Sequence, residues 1–345
     1  MRRKQILFLF LILAFLSAGL WARFFLNHRQ GSDVAGVDEK LLTFDPGAAE
    51  RILIGKGLKP QVEIFKEDGI WKVRELWNAR ADEVKVQAIL SALSGIRGDL
   101  RSSDPALLKD FGITDPEAFC VKVMGGNNDL LADLKIGVKS PGHTGLFVRL
   151  FDRPDVYAVE VGLDRMLGLF TGLEEGDLSS GFWADLVLFK LEPERVKEIT
   201  ISRLKDGVTA LRAGVVKEKG GGPGEPGRWK LIGPQESLSA DPDKVLRFIV
   251  TLNSLRAQAV ADPNQKHGLD HPVWQLEVKE SEGGKEKETV LFAGAKDSKE
   301  YVYFVKRRDR SEVYRLNGYY FEDMNITNEK LIEDTPRGDE GTGNS

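Results

Sequence analysis

At 345 residues the chain is about twice the length of a common domain, so two domains or one duplicated unit is the starting expectation. Lys and Arg total 49 against 53 for Asp and Glu; without Arg2, Arg3, Lys4 and Arg23 of the N-terminal segment the balance is 45 against 53, a formal charge of −8 on the remainder. A surface of that sign has no long-range attraction for nucleic acid, which excludes it as a partner, and the single cysteine, Cys120, excludes an intramolecular disulfide.

The chain opens with the cationic run Met1 to Gln5, followed by Ile6 to Leu26, apolar except for Ser17 and Arg23. At about 1.5 Å per residue in a helix this stretch reaches about 30 Å, the thickness of a bilayer core. It predicts one transmembrane anchor in contact with membrane lipid, its N-terminus cytoplasmic by the positive-inside rule and the body extracytoplasmic. Ser17-Ala18-Gly19 and Ala22 would suit a cleaved signal peptide, but the apolar run continues through Trp21, Phe24, Phe25 and Leu26, which favours an uncleaved anchor. No cysteine lies close enough for a lipoprotein anchor. Residues 27–44 read as a polar stalk.

The body repeats itself at a spacing of 156 to 159 residues. Trp71 in Gly69-Ile70-Trp71-Lys72-Val73 matches Trp229 in Gly227-Arg228-Trp229-Lys230-Leu231, and Ala81-Asp82 matches Ala240-Asp241. Asp104-Pro105 matches Asp262-Pro263, Gly112 matches Gly268, Pro116 matches Pro272, Gly137 matches Gly294, and Val156-Tyr157 matches Val313-Tyr314.

Each copy predicts the same order of elements. A hairpin pairs Val62 to Phe65 with Ile70 to Val73 across Glu67-Asp68-Gly69, and its expected counterpart pairs Glu198 to Ile201 with Trp229 to Leu231 across a longer excursion. A helix follows, with Val84, Ala88, Ile89, Ala92, Leu93 and Ile96 at helical spacing behind Asp82. In the second copy Asp241 is the N-cap, Pro242 the first helical residue, and Val245, Phe248, Ile249, Leu252 and Leu255 form one face. The Asp-Pro pairs open short turns closed at Gly112 and Gly268, where positive φ is useful. Alternating runs then predict a meander in each copy: Phe119 to Val123, Leu131 to Ile136, Leu146 to Leu150 and Val156 to Val159, answered by Trp274 to Val278, Thr289 to Phe292, Tyr301 to Val305 and Val313 to Leu316. The expected fold class is α+β, a tandem duplication (residues 45–186 and 187–334) of an antiparallel-sheet-plus-helix unit, with residues 335–345 a disordered tail.

This order of hairpin tryptophan, Ala-Asp before a helix, Gly-Leu-x-x-Pro, strand-ending glycine and Val-Tyr resembles an uncharacterised bacterial family catalogued as domain of unknown function four-three-four-zero, over roughly Asp45 to Asp323. Its best local marks are Gly268-Leu269-Asp270-His271-Pro272 and Gly112-Ile113-Thr114-Asp115-Pro116. The resemblance implies one N-terminal membrane segment and an accessory role near ABC-type transporter components of the gliding-motility type. It supplies no catalytic residues.

No motif specifies an enzyme, and no catalytic, cofactor-binding or metal-ligating residue is assigned. His267 and His271 have the four-residue spacing of helical metal ligands, but Gly268 and Pro272 argue for an exposed turn. Ser202-Arg203-Leu204-Lys205 has a serine–lysine spacing yet continues a strand. Gly220 to Gly227 lacks the helix a phosphate loop needs. Lys306-Arg307-Arg308-Asp309-Arg310 reads as a solvated hairpin tip, like Asp152 to Asp155; Arg337-Gly338-Asp339 reads as coincidence, and Cys120, beside Ala118, Phe119 and Val121, as a buried inert thiol. The leading expectation is a non-enzymatic, membrane-tethered extracytoplasmic module that binds an envelope protein, with ABC transporter components among the candidates. The alternatives are an envelope hydrolase acting on glycan or peptide, and a polysaccharide or small-ligand binding module.

Overall fold

The structure is a computed structural model that describes residues 38–57, 59–139, 145–169, 178–205, 208–218, 227–233, 238–297, 299–324 and 331. The expected anchor Ile6 to Leu26 and the tail from residue 335 lie outside the described residues. Among those described, no helix is long and apolar enough to cross a membrane.

The first lobe runs β1 (Glu39–Lys40), β2 (Ala49–Lys56), β3 (Lys59–Glu67), β4 (Ile70–Val73), β5 (Ala79–Arg80), α1 (Glu83–Ser94), β6 (Arg97–Ser102), β7 (Phe119–Gly125), β8 (Leu130–Lys139), β9 (Leu146–Leu150), β10 (Val156–Val159) and the short α2 (Leu163–Met166). The second runs β11 (Val196–Lys205), β12 (Val208–Lys217), β13 (Trp229–Ile232), α3 (Pro242–Ser254), β14 (Ala259–Ala261), β15 (Trp274–Glu282), β16 (Lys285–Asp297), β17 (Val302–Arg307), β18 (Val313–Asn317) and α4 (Gly318–Met324). Each lobe is one antiparallel sheet with a helix on its inner face. The sheet orders are β1-β6-β10-β9-β8-β7-β2-β3-β4-β5 and β13-β12-β11-β15-β16-β17-β18-β14. Read from its other end, the second order matches the first strand for strand between β6 and β4.

The hairpin tryptophans are equivalent. Trp71 pairs with Lys66 and Trp229 with Lys217, each lysine ammonium lying 5.7 Å from the indole centroid. The carbonyl of each tryptophan accepts from the alanine before the helix cap, Ala81 N at 2.8 Å and Ala240 N at 2.9 Å. One expected equivalence is corrected here. The strand preceding Trp229 in the sheet is β12, not the segment Glu198 to Ile201, which belongs to β11 and corresponds to β2. The sequence hid β12 because Val208 to Leu211 are exposed and show no buried alternation.

The β3–β4 turn is Asp68-Gly69, with φ of 52° and 76°, the left-handed pair that matches strand twist in a two-residue hairpin. Gly112 and Gly268 hold φ of 60° and 68°, as their turn positions require. Asp82 caps α1 by accepting from Val84 N and Lys85 N, and Asp241 caps α3 by accepting from Asp243 N and Lys244 N. The face of α3 is the expected one, whereas α1 buries Val86, Ile89, Leu90 and Leu93 and leaves Val84 77% exposed. With Ile89 and Leu93 fixed, helical spacing also admits Val86 and Leu90, and these two reach the sheet.

Both cores lie between helix and sheet. In the first lobe the α1 face meets Ile52, Ile54, Ile64, Val121, Leu134 and Val148; in the second, Val245, Phe248, Ile249 and Leu252 meet Ile199, Ile201, Leu276, Leu291 and Val305. Each such side chain contributes about 1.5–3 kcal/mol by leaving water. Residues 39–44, read as the end of a stalk, pack on the first lobe instead. Glu39 and Lys40 pair with Gly98 and Arg97, Leu41 is buried, and Leu41 N donates to Ile96 O at 2.9 Å. The apolar side chains Leu41, Leu42 and Phe44 give this segment its reason to fold back.

Candidate functional site

Between the lobes lies a cleft of about 820 Å³. The linker that forms its floor is hydrogen-bonded on both sides: Asp82 N donates to Trp183 O (2.7 Å) and Asp185 N to Arg80 O (2.8 Å) in the first lobe, while Ala257 N of the second donates to Leu186 O (2.9 Å). Beneath it, Arg310 Nη1 reaches Asp185 Oδ2 at 3.2 Å and the Tyr314 hydroxyl at 3.3 Å, with both ion-paired side chains nearly buried. Glu312 closes the junction from the second lobe, its Oε1 accepting from Arg80 N at 2.9 Å and lying 3.7 Å from Arg80 Nε. Burial, with the neighbouring Glu312 charge, pushes the Tyr314 hydroxyl up to about 12.

The walls above this junction are mixed. Ile70, Trp71, Val84 and Val187 supply apolar surface. Two of the three acidic lining groups hold backbone: Asp82 caps α1, and Asp185 Oδ1 accepts from Val187 N at 3.1 Å, while Glu83, the first residue of α1, is exposed. Two exposed cations at the rim are not so engaged. Arg256 donates only to the carbonyls of Asn253 (2.7 Å) and Leu255 (3.1 Å), and neither it nor Lys190 meets a carboxylate among the described residues. The arrangement can therefore hold an extended segment, taking acidic groups at the rim and an apolar side chain against Val84 and Val187.

The family model described as "Domain of unknown function (DUF4340)" matches residues 71–227 and 229–337, two segments that begin at the equivalent tryptophans Trp71 and Trp229. The chain belongs to the DUF4340 family. Comparison with curated proteins and with solved structures returned no match. For this DUF4340 chain, then, the geometry of its own residues carries the functional reading.

His271 is exposed, but His267, expected at an exposed turn, is buried: its ring lies 4.1 Å from that of Phe304 and its Nε2 is 2.7 Å from Asp262 O. In the first lobe Phe111 packs against Phe147 with ring centroids 4.6 Å apart, so His267 fills a core position that an aromatic ring fills in the other lobe. Ser202 is buried and Lys205 exposed on one extended strand, where a separation of three places them on opposite faces. Among the described residues no group of three or more His, Cys, Asp or Glu is placed to hold a metal ion. Most of Gly220 to Gly227, and Arg337 to Asp339, lie outside the described residues.

The basic cluster Lys306 to Arg310, at the end of β17, also requires correction. It is no solvated tip, because Arg307 is buried with Nη1 donating to Leu188 O at 3.0 Å and its other nitrogens held by Asp309, and Arg310 anchors the cleft floor. The Arg307 guanidinium holds the Asp309 carboxyl below its usual range. Asp152 to Asp155 is the surface turn expected. Cys120 is buried as expected, and burial together with Asp133 raises its thiol pKa, which slows its reaction with electrophiles. Of the cleft groups, Arg310 had a sequence signal in its basic cluster, while Asp185 and Glu312 had none.

Proposed function

We propose that this DUF4340 protein is a non-enzymatic module of the cell envelope, tethered by one N-terminal transmembrane helix. In this reading its body faces away from the cytoplasm and captures a segment of a partner protein in the cleft between its lobes, as an accessory component of an ABC-type transport or envelope system. The observation that carries the binding reading is the 820 Å³ cleft lined by the cations Lys190 and Arg256, which meet no carboxylate among the described residues. The anchor reading rests on the apolar run Ile6 to Leu26, and the transporter setting on the family resemblance.

The test is site-specific photocrosslinking in host membranes. A photoreactive residue at Val84 or Lys190 should give a discrete adduct that Arg256→Glu weakens, while the same residue at Val250, exposed on α3, should not. Adducts that form at Val250 and not at the cleft positions would dismiss the cleft as the binding surface.

A further inference from the structure

The outer face of the first sheet, turned away from α1, carries a row of charged side chains fixed by strand register. Gly55 of β2 pairs with Cys120 of β7, Cys120 with Lys135 of β8, and Lys135 with Arg149 of β9. One register step away Leu53 pairs with Lys122 and Lys122 with Asp133. The second sheet has the same rows, with Ser202, Gln275, Phe292 and Lys306 in the first and Thr200, Glu277 and Val290 in the second. Where the second lobe places the Phe292 ring, the first therefore places an ammonium. The aromatic partner changes sides as well: Lys135 lies 5.7 Å from the Phe151 ring, and Arg308 lies 5.7 Å from the Phe292 ring.

Lys135 is 1% exposed, which is exceptional for an ammonium. Its nearest carboxylate oxygen, Asp115 Oδ1, is 3.9 Å away, beyond hydrogen-bond reach, and is held by Arg149 Nη2 at 2.7 Å. Asp133 is engaged by Lys122 Nζ at 2.9 Å and accepts from the Cys120 thiol at 3.5 Å. No hydrogen-bond acceptor for Lys135 occurs among the described residues. A buried cation in that state is costly unless something neutralises it. Lys135 lines a cavity of about 180 Å³ whose wall also includes Leu53, Pro60, Cys120, Lys122 and Phe151. With Lys59 at the wall and Arg149 beside it, four cations stand against Asp115 and Asp133, leaving two positive charges in surplus.

We propose that this cavity is a binding site for a small carboxylate with a short apolar tail. Its carboxylate accepts from the Lys135 ammonium, and its tail lies against Leu53, Pro60 and the Phe151 ring. The site belongs to the first lobe alone, since Phe292 stands in the second where Lys135 would be needed.

Cys120 is the chain's only cysteine and lies on the cavity wall, so its alkylation rate reports occupancy in the intact protein. In detergent-solubilised full-length protein, butyrate should slow alkylation of Cys120 by iodoacetamide at least threefold with a saturable dose response, and sodium phosphate at equal ionic strength should not. Lys135→Met, close in volume but uncharged, should abolish the butyrate effect. Should that variant fail to fold, Phe151→Ala should weaken the butyrate half-saturation several-fold while leaving Lys135 in place. Protection by phosphate in preference to butyrate, no saturable protection in the wild type, or equal protection in a folded Lys135→Met protein would each overturn the proposal.

Discussion

Gly137 and Gly294 meet the same obstacle in the two lobes: a Cβ on Gly137 would sit 2.2 Å from Phe111 O, and one on Gly294 would sit 2.2 Å from His267 O. Both glycines let the covering segment, which carries Phe111 in one lobe and His267 in the other, lie directly on a sheet strand. Because the obstructing atom is backbone, a rotamer change cannot relieve it. Gly137→Ala and Gly294→Ala should each destabilise by about 1–3 kcal/mol, measured by urea unfolding. A near-neutral result for either would mean that the covering segment is not held as described.

The caps should be interchangeable in effect. Asp82→Ala and Asp241→Ala each remove a carboxylate that accepts from two backbone N–H groups, and each should cost about 0.5–2 kcal/mol. Asn at either position should recover most of the loss, and failure of Asn would point away from capping.

His267 gives a directional test. Because Phe111 is its counterpart, His267→Phe should keep close to wild-type stability, while His267→Ala should lose about 2–4 kcal/mol through the cavity left beside Phe304. Thermal unfolding of the two variants checks the order, and equal losses would contradict the equivalence.

How much of this was legible in the sequence follows from what produces a local pattern. The caps at Asp82 and Asp241, the face of α3 and the turn glycines were readable because each is set by neighbours in the chain. The burial of His267 was not, since it depends on Phe304 across the sheet, and neither was β12, whose exposed end lacks alternation. The ammonium of Lys135 was equally hidden: in sequence it is one polar residue in an alternating strand, and only register places it beside Cys120 and Arg149. The cleft required Glu312 to meet Arg80, a contact between lobes that spacing cannot show.

Alkaline pH should loosen the junction under the cleft. Tyr314 has its folded pKa raised from 10.0 to about 12, so its neutral form is the one the folded state favours. Stability from this group is complete below pH 10 and is lost as pH rises through about 12, a change of roughly 2–3 kcal/mol. Tyr314→Phe should flatten the stability profile between pH 10 and 12 relative to wild type in denaturant titrations. Parallel profiles would show that Tyr314 does not report the junction.

The anchor reading makes its own demand. A reporter active only outside the cytoplasm, fused after Ser345, should give signal, and the protein should remain with membranes after a carbonate wash. A shortened, soluble product would replace the anchor with a cleaved leader.

The linker through residues 183–187 has a mechanical meaning. It is stitched to Arg80 and Asp82 on one side and to Ala257 on the other, so tilting one lobe against the other strips several short backbone bonds at once instead of turning a slack hinge. A tug applied to the far lobe would be borne by those stitches and by Arg310 against Asp185, and would arrive at residue 39 with little lost in play. A chain built this way acts less like two beads on a string than like a stiff strut, which under the proposed tether would set a bound segment at a fixed height.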